Sequence, residues 1–222
     1  YYGKPISFGE LFENIDNAAK TLKAMGIKEN DIITISLPNI PEAVYLFYAC
    51  SKLGVIANMV DPRTSEHGIK DYIEEVDSKL VIIVDSYFNK VKSLLEEGTI
   101  NKVVAVSPAN SLPIAMNLAY RANEFIEQLK QPDKKINFSS SVFDYKTFIH
   151  FGEDYNGIVE ANYIPNREFV IEHTGGTTGL PKGVVLTNEN INAASLQCSI
   201  SGINIEKGEK WLNTLSNYRI TG

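Results

Sequence analysis

The sequence predicts an α/β fold, with a mainly parallel sheet flanked by helices. Strand and helix patterns alternate along the chain, which favours a largely parallel sheet with right-handed crossovers. The segment Lys79–Asp85 has an unbroken apolar centre, which is typical of a strand buried on both faces. Glycines follow several of the helical patterns and mark where those helices end.

The individual elements follow from local signals. Ser7 and Glu10 predict a capping box at the first helix, because each side chain can satisfy the other residue's free backbone N–H. Gly26 ends this helix, and a second helix runs from Pro41 to Gly54. Further strands are predicted at Asp31–Leu37, Val55–Val60, Lys79–Asp85, Lys102–Val106, Glu168–His173 and Gly183–Thr187, with helices at Ser65–Asp77, Ser86–Glu97 and Leu112–Leu129.

Residues 107–166 depart from the regular alternation. After the long helix, residues 131–141 are polar and rich in turn formers, which predicts a surface loop. Phe143, Phe148 and Phe151 then predict a short element packed back on the body of the protein. We therefore expect residues 1–222 to belong to one domain, with residues 107–166 as a variable, insert-like region.

Composition excludes several classes of protein. A net charge of −6 argues against a nucleic-acid-binding surface, and no apolar run reaches the ~18 residues of a membrane span. Cys50 and Cys198 have no partners at motif spacing and are predicted to be buried free thiols in a reduced, cytoplasmic setting. No cluster of His, Cys, Asp or Glu has metal-ligand spacing, so no protein-held metal is predicted.

The segment Thr174–Gly183, TGGTTGLPKG, has the composition of a phosphate-binding loop. Its glycines let the backbone approach a ligand, its threonines donate hydrogen bonds, and its lysine supplies a positive charge. It is not a Walker A loop, because Pro181 precedes Lys182 and Gly183 follows it. A strand rather than a helix is predicted after the loop, so no helix N-terminus can point at the phosphates. The backbone N–H groups and the side chains of the loop itself must therefore bind them. Composition alone equally allows a plain glycine-rich hairpin.

The order of the residues favours phosphate binding. TGGTTGLPKGVVLTNEN resembles the signature of the adenylate-forming superfamily, which comprises acyl-CoA synthetases, luciferases and adenylation domains. Leu37-Pro38-Asn39 and Pro41-Glu42 fit the turn near the start of that family, and the match is weakest at residues 107–166. Gly175 stands where many branches of the family have serine, and the resulting sequence TGGTTG is similar to that of fatty acyl-CoA synthetases. The segment Lys52–Pro62 lacks the A-Y-V-P-I-D run that is typical of amino-acid-activating domains.

The resemblance implies an activity and a set of site residues. The family activates a small carboxylic acid with ATP and passes the acyl group to coenzyme A, with Mg²⁺ riding on the phosphates. It implies that Thr174, Gly175, Gly176, Thr177, Thr178 and Gly179 cradle the β- and γ-phosphates, with Lys182 beside them. The resemblance also places Tyr218 and Arg219 at the acyl pocket. At the position of Arg219 the family commonly has histidine.

The family's adenine, ribose, hinge and catalytic-lysine motifs are not found in the chain. We therefore expect a fragment of the large N-terminal domain, without catalytic residues, inactive alone and able to self-associate through apolar surface exposed by the missing parts. The C-terminal part of that domain and the small C-terminal domain are expected to be absent. An amino-acid or aryl-acid activating enzyme and a non-catalytic nucleotide-binding module remain alternatives. For His173, a structural hydrogen bond and an active-site role are both open.

Overall fold

The computed structural model describes residues 1–132, 135–174, 182–201 and Gly208. Within these residues the chain forms seven strands and seven α-helices. The strands are β1 (Ile32–Ser36), β2 (Ile56–Met59), β3 (Leu80–Val84), β4 (Val103–Val106), β5 (Val142–Asp144), β6 (Glu168–Thr174) and β7 (Lys182–Thr187). The helices are α1 (Phe8–Ala24), α2 (Pro41–Leu53), α3 (Glu66–Glu75), α4 (Asn89–Glu96), α5 (Ile114–Lys130), α6 (Tyr145–His150) and α7 (Asn188–Ile200).

The strands form one sheet in the order β5-β4-β3-β1-β2-β6-β7. Neighbouring strands run parallel except for β6 and β7, which form an antiparallel hairpin. The predicted α/β class and the mainly parallel sheet are therefore confirmed. The hairpin lies at one edge of the sheet, and the predicted phosphate-binding loop connects its two strands.

Helix ends follow the local sequence signals. The capping box is present: Ser7 Oγ accepts from the Glu10 N–H at 3.2 Å, and Glu10 Oε2 accepts from the Ser7 N–H at 2.8 Å. Gly54 ends α2 with a φ of 64°, a left-handed conformation that favours glycine. A side chain at Gly54 would also collide with the Arg167 guanidinium, which packs against its Cα.

Two apolar clusters enclose the sheet. The larger lies under α1 and α2 and includes Leu22, Ile35, Leu46 and Met59, all nearly inaccessible to solvent. The smaller packs α3 and α4 against the opposite face. Helices thus cover both faces of the parallel strands, which explains why β3 is apolar throughout. Cys50 is buried in the larger cluster, as predicted.

One prediction from the sequence is incomplete, and another is wrong. The element predicted around Phe143 includes a sheet strand, β5, which pairs in parallel with β4. Three residues are too few for strand alternation to show in a sequence. Cys198 is exposed rather than buried, because no residue of α7 is buried in the described structure. Phe148 is buried as expected, whereas Phe151 is about half exposed.

Candidate phosphate-binding site

The hairpin of β6 and β7 brings the two ends of the predicted loop together. Thr174 pairs with Lys182 across the two strands, and His173 pairs with Gly183. The Thr174 hydroxyl donates to the Lys182 carbonyl oxygen at 3.3 Å. The Lys182 side chain is exposed, and it forms no salt bridge with any residue that the structure describes. The Thr174 hydroxyl and the backbone of Lys182 therefore meet at the mouth of the hairpin.

The remaining predicted site residues lie outside the described residues. These are Gly175, Gly176, Thr177, Thr178 and Gly179 in the loop, and Tyr218 and Arg219 near the end of the chain. Their roles stay predictions. The structure does confirm that the loop follows one strand and precedes another. Thr174 and Lys182 are thus the two members of the predicted set whose positions are known.

His173 ends a row of buried hydrogen-bonded groups, which we call the polar ladder. The Ser78 hydroxyl donates to the Leu80 carbonyl at 3.1 Å, and the Thr34 hydroxyl donates to Ser78 Oγ at 2.9 Å. Asn58 Nδ2 donates to Thr34 Oγ1 at 3.0 Å. His173 Nε2 lies 2.7 Å from Asn58 Oδ1. The ladder crosses β3, β1, β2 and β6, which are consecutive strands of the sheet.

Aromatic stacking also holds the imidazole of His173. The Tyr72 ring of α3 lies nearly parallel to it, at 3.8 Å between ring centres and 19° between planes. Burial lowers the pKa of His173 to about 4, so the ring is neutral near pH 7. The predicted structural hydrogen bond of His173 is confirmed. Neither its hydrogen-bond partner Asn58 nor its stacking partner Tyr72 was identified from the sequence. A buried asparagine within an apolar strand was the available signal.

Glu172 is a second buried titratable group beside the loop, and sequence reasoning missed it. Glu172 is 5% exposed, and its Oε2 has no hydrogen-bond partner among the residues that the structure describes. Burial raises the pKa of this carboxyl to about 8. Adjacent residues in a strand point to opposite faces, so Glu172 and His173 lie on different sides of the sheet. Both are neutral near pH 7, so Glu172 places no negative charge and His173 no positive charge beside the loop.

A cleft among the described residues lies away from the hairpin. It has a volume of about 800 Å³ and lies between α5 and the ends of β3 and β4. Asp85, Tyr120 and Glu124 line it, and burial is the main cause that raises the pKa of each. No group of three or more metal-ligating side chains occurs among the residues described, and none of the described helices is long and apolar enough to cross a bilayer.

A mainly parallel sheet that ends in a hairpin with a Thr/Gly-rich connecting sequence is the arrangement expected for an adenylate-forming enzyme. The family model for the AMP-binding enzyme matches residues 1–222. The chain belongs to this family. The membership predicted from the hairpin sequence is thereby confirmed over the whole chain, including the region 107–166 where the resemblance was weakest.

Curated relatives carry the names of CoA ligases. The long-chain-fatty-acid–CoA ligase of Bacillus subtilis is 26% identical over 227 residues, covering 100% of this chain and 39% of that protein. The acetyl-coenzyme A synthetase of Bartonella quintana is 28% identical, over 84% of this chain and 27% of that protein. The 4-coumarate–CoA ligase of Vanilla planifolia is 28% identical, over 77% of this chain and 26% of that protein. The chain thus spans well under half the length of these relatives.

Solved structures share the fold. An o-succinylbenzoate coenzyme A synthetase from Bacillus subtilis, in complex with AMP, matches with a TM-score of 0.66 at 21% identity, over 98% of this chain and 45% of that one. An anthranilate CoA ligase in complex with anthranoyl-AMP matches with a TM-score of 0.67 at 14% identity, over 91% of this chain and 33% of that one. At these identities the similarity establishes the architecture alone.

Proposed function

We propose that this chain is the ATP-binding part of an AMP-forming acid–CoA ligase that acts on a fatty or related carboxylic acid. The proposal includes the assignment of residues 1–222 to the large N-terminal domain of that enzyme. The observation that carries it is the hairpin of β6 and β7. Its connecting loop has the family's phosphate-binding sequence, and Thr174 and Lys182 lie together at its mouth.

In the proposed reaction, the carboxylate attacks the α-phosphate of ATP and pyrophosphate leaves. The thiol of coenzyme A then attacks the acyl-adenylate and releases AMP. The first step is an in-line displacement, for which positioning and charge neutralisation supply most of the catalysis. Mg²⁺ enters as part of the nucleotide substrate and neutralises phosphate charge there.

The described residues have definite tasks in this scheme. The Lys182 ammonium would bind phosphate oxygens and balance the charge that develops on the leaving pyrophosphate. The Thr174 hydroxyl, which now donates to the Lys182 carbonyl, would hold the two ends of the loop in register. The neutral state of Glu172 keeps a negative charge away from the triphosphate, because an ionised carboxylate there would repel it.

Fatty acids are the first choice of substrate for two reasons. The loop begins with Thr174-Gly175-Gly176, which is similar to the start of this loop in fatty acyl-CoA synthetases. The Bacillus relative that matches the entire chain is named for long-chain fatty acids. An aryl acid is the second candidate, because the Vanilla relative is named for 4-coumarate. A non-catalytic nucleotide-binding module is the candidate from a different class.

Acid-dependent exchange of pyrophosphate into ATP by the full-length protein tests these candidates. The panel consists of acetate, medium- and long-chain fatty acids, 4-coumarate and several amino acids, each assayed with MgATP. We expect exchange with a fatty acid, and acyl-CoA formation once coenzyme A is added. Exchange with aryl acids alone would move the assignment to an aryl-acid ligase. ATP binding without exchange for any acid would favour the non-catalytic module.

A further inference from the structure

Helix α5 rests on the body of the protein with its polar side. Its partly covered side chains recur at intervals of three or four residues and therefore share one face of the helix: Asn117, Tyr120, Glu124 and Gln128. Asn117 Nδ2 donates to the Ala109 carbonyl at 2.5 Å, and Tyr120 and Glu124 line the cleft beneath the helix. Polar and amphipathic groups thus hold α5 in place.

The apolar side of α5 points away from the protein. At about 100° per residue, eight apolar residues fall within an arc of about 140°. All eight are exposed, and no residue of α5 is buried in the described part of the chain. An amphipathic helix of a globular protein ordinarily turns such an arc toward the core, so the orientation of α5 is inverted. We call this surface the apolar arc; it consists of Ile114, Ala115, Leu118, Ala119, Ala122, Phe125, Ile126 and Leu129.

The four charged residues of α5 are sorted by sign around the apolar arc. Arg121 and Lys130 lie at its two margins, each about 20° beyond the outermost apolar residue. Glu124 and Glu127 lie near the centre of the opposite side. Basic side chains at such a margin can bury their stems in apolar surroundings and keep the charged ends among polar groups. This order is complementary to a surface with an apolar interior and an outer layer of phosphates.

We propose that α5 docks on a phospholipid bilayer, lying in the plane of the membrane with the apolar arc among the acyl chains and with Arg121 and Lys130 at the lipid phosphates. Docking is peripheral, because no described helix is long and apolar enough to cross a bilayer. The consequence for substrate supply rests on the proposed function: long-chain fatty acids partition into bilayers, so docking brings the ligase to its substrate.

A second copy of the chain fits the apolar arc less well. A two-helix seam uses a narrower stripe, and opposite charges beside that stripe set the pairing. The narrow stripe here would be Ala115, Leu118, Ala122, Phe125 and Leu129, at alternating intervals of three and four residues. The residues beside it supply a single charge, that of Arg121, and no opposite charge to pair with it: Ile114, Ala119, Arg121, Ile126 and Gln128.

The position of α5 in the fold also separates it from the later part of the chain. The helix connects β4 to β5, which lie at one edge of the sheet. The opposite edge is β7, after which the chain continues into α7. The surface that α7 leaves exposed is therefore distinct from the apolar arc.

Two variants and two matched controls test the apolar arc and its basic margins. Phe125→Ser removes an aromatic ring from the arc; Phe12→Ser is its control, because Phe12 on α1 is equally exposed, at 62%. The double variant Arg121→Gln/Lys130→Gln removes both marginal charges. Its control is Lys28→Gln/Lys92→Gln, which removes two exposed charges elsewhere on the surface.

The experiment measures co-sedimentation of the full-length protein with vesicles of phosphatidylcholine alone, and of phosphatidylcholine and phosphatidylglycerol in equal parts. Melting temperature and gel filtration accompany it. We expect the wild type to bind both kinds of vesicle, and the anionic mixture more tightly. Phe125→Ser should weaken binding to both about tenfold. Arg121→Gln/Lys130→Gln should weaken binding about tenfold on the anionic mixture and less on phosphatidylcholine alone. Both controls should bind like the wild type, and Phe125→Ser should keep the wild-type melting temperature.

Three outcomes would overturn the inference. A wild-type protein that binds neither kind of vesicle has no docking surface for lipid. Equal weakening by Phe125→Ser and Phe12→Ser would show that α5 is not the docking surface. A dimer that Phe125→Ser dissociates, without any vesicle binding by the wild type, would assign the apolar arc to a second copy.

Vesicle binding is measured without catalysis, so its failure and that of the proposed function are distinguishable. If no acid supports pyrophosphate exchange but vesicle binding depends on Phe125, the ligase assignment fails and membrane docking stands. If a fatty acid supports exchange and the wild type ignores vesicles, the ligase assignment stands and membrane docking fails.

Discussion

Replacing Glu172 with glutamine should remove a pH dependence of stability that this buried carboxyl imposes. The folded pKa is about 8, against an ordinary value of 4.5. Between these values the unfolded carboxyl is ionised while the folded one holds its proton, so unfolding releases a proton. Wild-type stability therefore falls as pH rises from about 4.5 to about 8, and no further loss from this group follows above that range.

The size of the effect follows from the same interval. At about 1.4 kcal/mol per pKa unit, the shift corresponds to at most about 5 kcal/mol of unfolding free energy. Water penetration and relaxation around a buried carboxylate reduce this limit, so we expect a loss of roughly 2 kcal/mol. Glutamine has nearly the same shape and cannot ionise. Glu172→Gln should therefore be the more stable protein near pH 8 by about the same roughly 2 kcal/mol.

Urea unfolding followed by circular dichroism, from about pH 5 to about pH 9, measures this difference. The matched control is Glu168→Gln, because Glu168 lies on the same strand and is exposed. The control should follow the wild-type profile, whereas Glu172→Gln should be flatter between about pH 5 and about pH 8. Parallel profiles for the wild type and Glu172→Gln would refute the argument that burial keeps this carboxyl protonated.

Four further predictions follow from the same structure. The pKa of His173 is lowered from 6.5 to about 4, so stability should fall as pH drops through that interval, and His173→Phe should show a smaller loss in the same urea series. Lys182→Ala should slow pyrophosphate exchange by ~10²–10³ without changing acid preference, whereas Lys92→Ala, at an exposed site on α4, should have no effect. Gly54→Ala should cost more than about 2 kcal/mol of unfolding free energy, while Gly98→Ala, also left-handed but in open space, should cost about 1 kcal/mol. Residues 1–222 expressed alone should self-associate in gel filtration at high concentration, because α7 has no buried residue within the described part of the chain and exposes Leu196 and Ile200. A sharp monomer peak at all concentrations would contradict this.

The local elements of the fold could be predicted from the sequence because their signals are local. A capping box at Ser7, Pro41 at a helix start and Gly54 at a helix end each act within a few residues, and the structure confirms all three. The order of residues in the loop likewise identified the family. The strand at Val142–Asp144 escaped prediction because it consists of three residues, and its pairing with β4 depends on chain far away in sequence.

The environment of the site was decided only by tertiary structure. The sequence places Glu172 and His173 before the loop, but their protonation depends on burial that residues from other strands and helices create. His173 takes its partner Asn58 from 115 residues earlier in the chain, and its stacking partner Tyr72 from a helix on one face of the sheet. The hydrogen bonds that hold Asn58 continue through Thr34 to Ser78, which belong to other parts of the sheet. No local pattern encodes such a path, because parallel strands bring together residues that are distant in sequence.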